Sequence, residues 1–225
     1  MAYTGSNSTR EAVENTEKAE KIGVDACLSV VPYYNKPDQE GIYQHFKAVA
    51  ECTSLPVIMY NIPGRVVVEM NWETIARLSQ FKNIVGVKEA SGKMDLVAQT
   101  ISNAREGFYV WSGNDNDTFP IMALGGYGVI GVTTHLTGKQ YKKMIDLILA
   151  DKIQEAAAIH RQLVPLVNAM FSFPSPAPIK YALNQLGFRV GNPRLPLVPV
   201  DEVRNKKVAD TIKELLKSNT IDLKA

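Results

Sequence analysis

Lys88 closes an apolar run, Ile84-Val85-Gly86-Val87, and is followed by Glu89-Ala90-Ser91-Gly92, small residues and a turn. A run of this length bounded by turn signals suits a strand buried on both faces. A lysine at its carboxyl end directs an amine toward the edge where parallel α/β folds build active sites. Desolvation there lowers the amine's pKa and makes it a neutral nucleophile toward carbonyls. Taken alone, Lys88 reads more readily as a surface residue whose stem covers the strand end.

Other strand ends carry groups that fit the same chemistry. One apolar run is followed by Tyr33, Tyr34 and Asn35, a second ends on Tyr60 with Asn61 and Arg65 beyond it, and later runs give Gly113, Asn114 and Asp115, then Ile130, Thr133 and Thr134. An amine, phenols and a guanidinium are the parts needed for imine chemistry on a keto acid. The amine attacks the carbonyl, a phenol relays protons, and the guanidinium pairs with a carboxylate through two parallel hydrogen bonds. Each residue has a plainer use singly: Tyr60 as a core aromatic, Arg65 as a solvated loop charge, Tyr33 and Tyr34 as interface packing. Agreement among five strand ends favours the chemical reading.

The elements that must position these groups alternate between strand and helix. Ser8, with Glu11 three residues later, predicts a capping box opening a helix that stops at Gly23. Strands are predicted at 25–31, 56–60, the Lys88 run, 108–112 and 129–133, with a stub at Ala2-Tyr3-Thr4. Asp38 and Asn71 are expected to cap the helices that follow the first and second of these strands. From Leu136 onward the pattern is helical only, with helices near 137–150, 152–171, 177–187 and 201–218. Two architectures fit: an open doubly wound sheet or part of a (β/α)8 barrel. The chain has no G-x-G-x-x-G after a first strand, as a dinucleotide fold would require, and Gly125-Gly126-Tyr127-Gly128 precedes a strand, as a tight turn does.

The chain has 225 residues and a formal net charge of +2, with 45% hydrophobic and 21% charged residues. That is the composition of a globular domain and gives no reason to expect nucleic acid or an anionic membrane as partner. Cys27 and Cys52 have no metal spacing, and His45, His135 and His160 are isolated, so no metal or other cofactor is expected. No apolar run has transmembrane length and the first residues lack a signal-peptide layout, which gives the expectation of a cytoplasmic enzyme.

Three segments then carry a family resemblance. Val31-Pro32-Tyr33-Tyr34-Asn35-Lys36-Pro37, Tyr60-Asn61-Ile62-Pro63-Gly64-Arg65 and Gly86-Val87-Lys88-Glu89-Ala90-Ser91-Gly92 resemble dihydrodipicolinate synthase in order and spacing. That family belongs with the class I pyruvate aldolases, which include N-acetylneuraminate lyase. Ser112-Gly113-Asn114-Asp115, the glycine turn and Pro178-Ile179-Lys180-Tyr181-Ala182 match as well. The resemblance implies a (β/α)8 barrel with a carboxyl-terminal helical domain, here divided as a partial barrel over 1–150 and a helical region over 151–225. It makes Lys88 the Schiff-base lysine for pyruvate, Tyr60 the proton relay beside it, and Tyr34 a phenol contributed across a dimer interface. It makes Arg65 the binder of the aspartate semialdehyde carboxylate, and has the backbone near Gly113 and Ile130 line the pocket. Asn7, Glu11 and Tyr33 match positions that in regulated members bind feedback lysine.

Family members begin with two further βα units and most of a third strand, which carry a Gly-Thr-Thr-Gly-Glu motif that binds pyruvate and joins the proton relay. The expectation is therefore an incomplete barrel lacking its first two to three βα units, with open edges covered by another copy in a dimer or tetramer, by a rearranged segment or by a partner, and with impaired activity. Two other functions compete: a catalytically weak homologue serving as a structural or regulatory partner, and a pyruvate lyase acting on a sugar acid. Arg65 favours the synthase branch over the lyase.

Overall fold

The structure, a computed structural model, describes residues 1–217, so the end of the helix expected over 201–218 and residues 218–225 of the expected helical region lie outside the described residues. The chain divides into two compact units, Met1–Ile130 and Gly131 onward.

The first unit is a parallel sheet of six strands: β1 (Ala2–Tyr3), β2 (Cys27–Val30), β3 (Val57–Asn61), β4 (Ile84–Glu89), β5 (Tyr109–Ser112) and β6 (Gly128–Val129). Each strand pairs with its neighbour in sequence, in the order β1-β2-β3-β4-β5-β6. A doubly wound sheet reverses its strand order at a switch point, and this one does not. The arrangement is that of a partial (β/α)8 barrel. The stub at residues 2–4 is a paired strand. The last strand is shorter than expected: β6 ends at Val129, Ile130 adds one more bond to the Ser112 carbonyl (2.9 Å), and the chain then turns into a helix at Thr134. Thr133 and Thr134 are thus not strand residues. Thr133 is fully buried at the N-cap position of that helix, and its hydroxyl donates to the Tyr141 hydroxyl at 3.1 Å.

Helices α1 (Thr9–Ile22), α2 (Gln39–Glu51), α3 (Pro63–Val66), α4 (Trp72–Leu78), α5 (Met94–Asn103) and α6 (Thr118–Ala123) connect the strands. Their starts follow the predicted caps. Asp38 accepts from the Gly41 N–H at 2.8 Å and Asn71 from the Thr74 N–H at 2.9 Å. The capping box at α1 forms only by half. Ser8 accepts from the Glu11 N–H, but the Glu11 carboxylate is taken by the Ser6 hydroxyl at 2.7 Å, and that same hydroxyl, rather than Glu11, accepts the Ser8 N–H. One irregularity matters for the site. Val57 pairs with Ile84 but Ile58 pairs with Gly86, so Val85 has no partner on β3. Beyond that bulge the pairing is regular.

Alternation then sorts the side chains. Val57, Met59, Val87 and Val110 pack with Ile42, Phe46, Ile75 and Val97 in a buried core. Tyr60, Lys88 and Trp111 lie in register on the other face. Gly86 lets the Trp111 ring lie across β4: a Cβ there would come within 2.5 Å of the ring and 2.1 Å of the Tyr109 carbonyl oxygen. This second face carries an aromatic group in which the Tyr109 and Tyr127 rings sit 4.4 Å apart and the Trp111 and Tyr127 rings 5.5 Å apart.

The second unit holds α7 (Thr134–Leu149), α8 (Ile153–Phe171), α9 (Ala177–Gln185) and α10 (Lys206–Lys217). Leu166, Met170, Ile179 and Ile212 form its core. Packing sets the unit boundary at residue 130 rather than the expected 150, because α7 pairs with α8.

Candidate active site

Lys88 is the fifth residue of β4 and Tyr60 the fourth of β3, and the two are register partners. The Lys88 amine stands over the Tyr60 ring, 4.3 Å from its centroid, so the phenol oxygen lies at the edge of the ring that carries the amine. Burial pushes the amine below the ordinary lysine value; the Asp115 carboxylate works against that shift and the Arg65 guanidinium works with it. The Tyr60 hydroxyl is pushed above the ordinary phenol value, again mainly by burial, with Arg65 opposing. A partly desolvated amine on a phenol ring, with a cation and a buried carboxylate within electrostatic reach, is a setting that can supply a neutral nucleophile and a proton-holding neighbour.

Gly113 packs directly on the lysine stem. A Cβ at that position would come 2.9 Å from Lys88 Cγ and 3.0 Å from Lys88 Cε. Its N–H donates to the Glu89 carbonyl at 2.7 Å, which fixes the loop after β5 against the tip of β4. Ile130 sits beside it, half-buried, on the next strand end.

Arg65 lies on the single turn of α3, exposed, with its charge reaching both Lys88 and Tyr60. The loop that carries it is held by Asn61, whose side-chain amide donates to the Met70 carbonyl at 3.2 Å and whose carbonyl accepts the Met70 N–H at 3.0 Å. Asn61 also donates to the Glu89 carboxylate at 2.9 Å, and Glu89 accepts the Ser91 N–H at 2.6 Å. Burial raises the Glu89 carboxyl, while the bonds from Ser91 and Asn61 oppose that shift.

The structure therefore places Lys88, Tyr60, Arg65 and Gly113 near one another. Tyr34 is not among them: it projects into solvent at 88% exposure from a loop where its φ is 74°. The expected lysine-binding residues form a looser group. The Asn7 carbonyl accepts from the Asn35 side chain at 2.9 Å, Glu11 is engaged by Ser6, and Tyr33 is 39% exposed. Two carboxylates near the amine carry little weight in the sequence: Asp115 is one strand-end residue among several, and Glu89 is part of a turn. A carboxylate directly after a buried run, followed by Ala-Ser-Gly, is the available signal for the second.

Among the described residues no helix is long and apolar enough to cross a membrane, and no group of three or more His, Cys, Asp or Glu side chains is arranged to hold a metal.

The model of the dihydrodipicolinate synthetase family matches residues 1–215. A 4-hydroxy-tetrahydrodipicolinate synthase of Dehalococcoides mccartyi is 60% identical over 223 residues, covering 99% of this chain and 74% of the relative. One from Listeria monocytogenes is 50% identical over 218 residues, 96% of this chain and 74% of that protein. Among solved structures, a dihydrodipicolinate synthase from Thermotoga maritima superposes with a TM-score of 0.91 at 41% identity, over 96% of this chain and 73% of that one. The chain thus spans about three quarters of the length of the relatives it matches.

Proposed function

This chain belongs to the dihydrodipicolinate synthetase family, and we propose that it acts as a Schiff-base aldolase condensing pyruvate with aspartate semialdehyde, the 4-hydroxy-tetrahydrodipicolinate synthase reaction. The observation that carries this reading is the half-buried Lys88 amine seated on the Tyr60 ring with Arg65 in electrostatic reach. The neutral amine adds to the keto carbon of pyruvate, and the carbonyl oxygen leaves as water once protonated. The resulting imine makes the methyl group acidic. Loss of a methyl proton gives an enamine, whose carbon attacks the aldehyde. Tyr60, held protonated by its burial, is the donor and acceptor for these transfers. Arg65 receives the carboxylate of the semialdehyde. Gly113 leaves room for the lysine stem, and Ile130 lines the same strand-end rim.

Arg65 favours this reading over a lyase acting on a sugar acid. In the proposed assembly the chain works as a homo-oligomer, and the exposed Tyr34 would reach the site of a neighbouring copy. The same loop, with Asn7, Glu11 and Tyr33, is the proposed seat of lysine feedback. The substrates are small metabolites, which fits the cytoplasm.

The deciding experiment is intact mass after incubation with pyruvate and borohydride, which reduces the imine to a stable secondary amine. A single pyruvate-derived addition to the unsubstituted chain and none to Lys88→Ala is the expected result. No addition at high pyruvate defeats the reading in favour of a catalytically silent homologue.

A further inference from the structure

Behind the amine, on the helix-side face of the sheet, lies a buried polar link. Glu89 is 2% exposed and Asn61 fully buried, and they are register partners on β4 and β3, each one residue beyond Lys88 and Tyr60. Both oxygens of Glu89 face N–H donors: Oε2 takes the Asn61 amide at 2.9 Å and Oε1 takes the Ser91 backbone at 2.6 Å. Asn61 is satisfied at both ends too, closing residues 61–70 into a loop through the Met70 N–H and carbonyl. Gln39 holds only the far end of that loop, donating to the Glu69 carbonyl and accepting the Asn71 N–H. Residues 62–66, with Arg65 among them, bond within their own turn and seat Val66 in the core, and the side-chain hydrogen bonds from β3 to this loop are those of Asn61. A buried link of this kind is costly when half made and rigid when complete.

Resting on the function proposed above, we infer that Glu89 and Asn61 are positioning residues that hold Arg65 at a fixed distance from the reacting amine and from the second substrate's carboxylate. Only a group with two acceptors satisfies both donors that Glu89 meets. A glutamine has the same shape but must turn its NH2 toward one of them, so it breaks the link without emptying the space.

The experiment is the pH profile of borohydride trapping with pyruvate. The charged and polar groups facing Lys88 are Tyr60 on β3, Arg65 on α3 and Asp115 after β5. Withdrawing the Arg65 cation lets the amine hold its proton to higher pH. Asn61→Ala changes no charge, so it should move the trapping midpoint upward by about the amount that Arg65→Ala does. In the Arg65→Ala background it should move it no further. Glu89→Gln is the second test, should Asn61→Ala fold poorly. Removing its negative charge alone lowers the midpoint, whereas release of Arg65 raises it, and a rise is expected. With turnover as readout, either variant should raise the semialdehyde KM by about tenfold while the pyruvate adduct still forms. Midpoints unmoved, or a shift in Asn61→Ala that persists in full without Arg65, overturn the inference alone. Absence of an adduct in the unsubstituted chain overturns the aldolase reading and the inference with it.

Discussion

The Lys88 amine rests 4.3 Å above the centre of the Tyr60 ring, and the two residues face each other across adjacent parallel strands. The ring's negative face favours an ammonium there, while burial favours the free amine. Burial is the leading cause of a Lys88 pKa below the ordinary lysine value.

Imine trapping should therefore reach half of its maximal rate at a pH below the ordinary lysine value of about 10.4. The neighbours set the sign of further shifts. Arg65→Ala removes a cation that lowers the Lys88 pKa, so its profile moves to higher pH. Asp115→Asn removes an anion that raises it, so its profile moves to lower pH. Rates of borohydride-trapped adduct between pH 6 and 10 read all three, and a common midpoint refutes the electrostatic account.

Gly113→Ala puts a methyl group where the lysine stem lies, within 2.9 Å of Cγ. The stem must swing away from the Tyr60 ring. Adduct formation at saturating pyruvate should fall by about ten- to a hundredfold. Circular dichroism should show an intact fold, because the clash is with the flexible stem and the Ala90 methyl rather than with backbone.

Arg65→Ala should leave pyruvate trapping in place at high pH and weaken the semialdehyde. A charge-assisted pair to a carboxylate contributes about 1.5–3 kcal/mol, or roughly ten- to a hundredfold in the semialdehyde KM. Equal losses for both substrates argue against its assigned partner.

His45 predicts an acid-sensitive first unit. It is 3% exposed, packs edge-on against Phe46, meets the Thr9 hydroxyl through Nδ1 at 3.0 Å, and has no partner for Nε2. Burial lowers its pKa to about 4. The unfolded chain takes up a proton near 6.5 and the folded one only near 4, so stability is full above pH 6.5 and falls as pH drops toward 4. The loss is up to about 3 kcal/mol. Urea midpoints at pH 7 and 4.5 should differ less in His45→Gln than in the unsubstituted protein.

Much of the site was legible because strand ends and their residue types are local features. Lys88, Tyr60, Arg65 and Gly113 follow apolar runs whose parallel pairing puts them on one rim. The helix caps at Asp38 and Asn71 were legible for the same reason. Less local matters were not. Glu11 has the sequence position of a capping-box acid, but Ser6, brought close by the turn from β1 into α1, competes for it. Thr133 has β propensity, yet the chain has already left the sheet and uses the residue to start α7. The Glu89–Asn61–Met70 link joins residues 28 and 9 positions apart, a separation at which spacing carries no signal.

Beyond Val85, the unmatched residue between β3 and β4, the regular pairing decides which functional group the keto acid meets. Because side chains alternate there, a strand one residue shorter at Val87 would turn Lys88 in among the valines and aim Glu89 outward. Such a protein could keep its sheet, its loops and nearly its whole composition, yet offer an incoming ketone an anion in place of a nitrogen. Inheritance of this chemistry therefore hangs on a reading of odd and even.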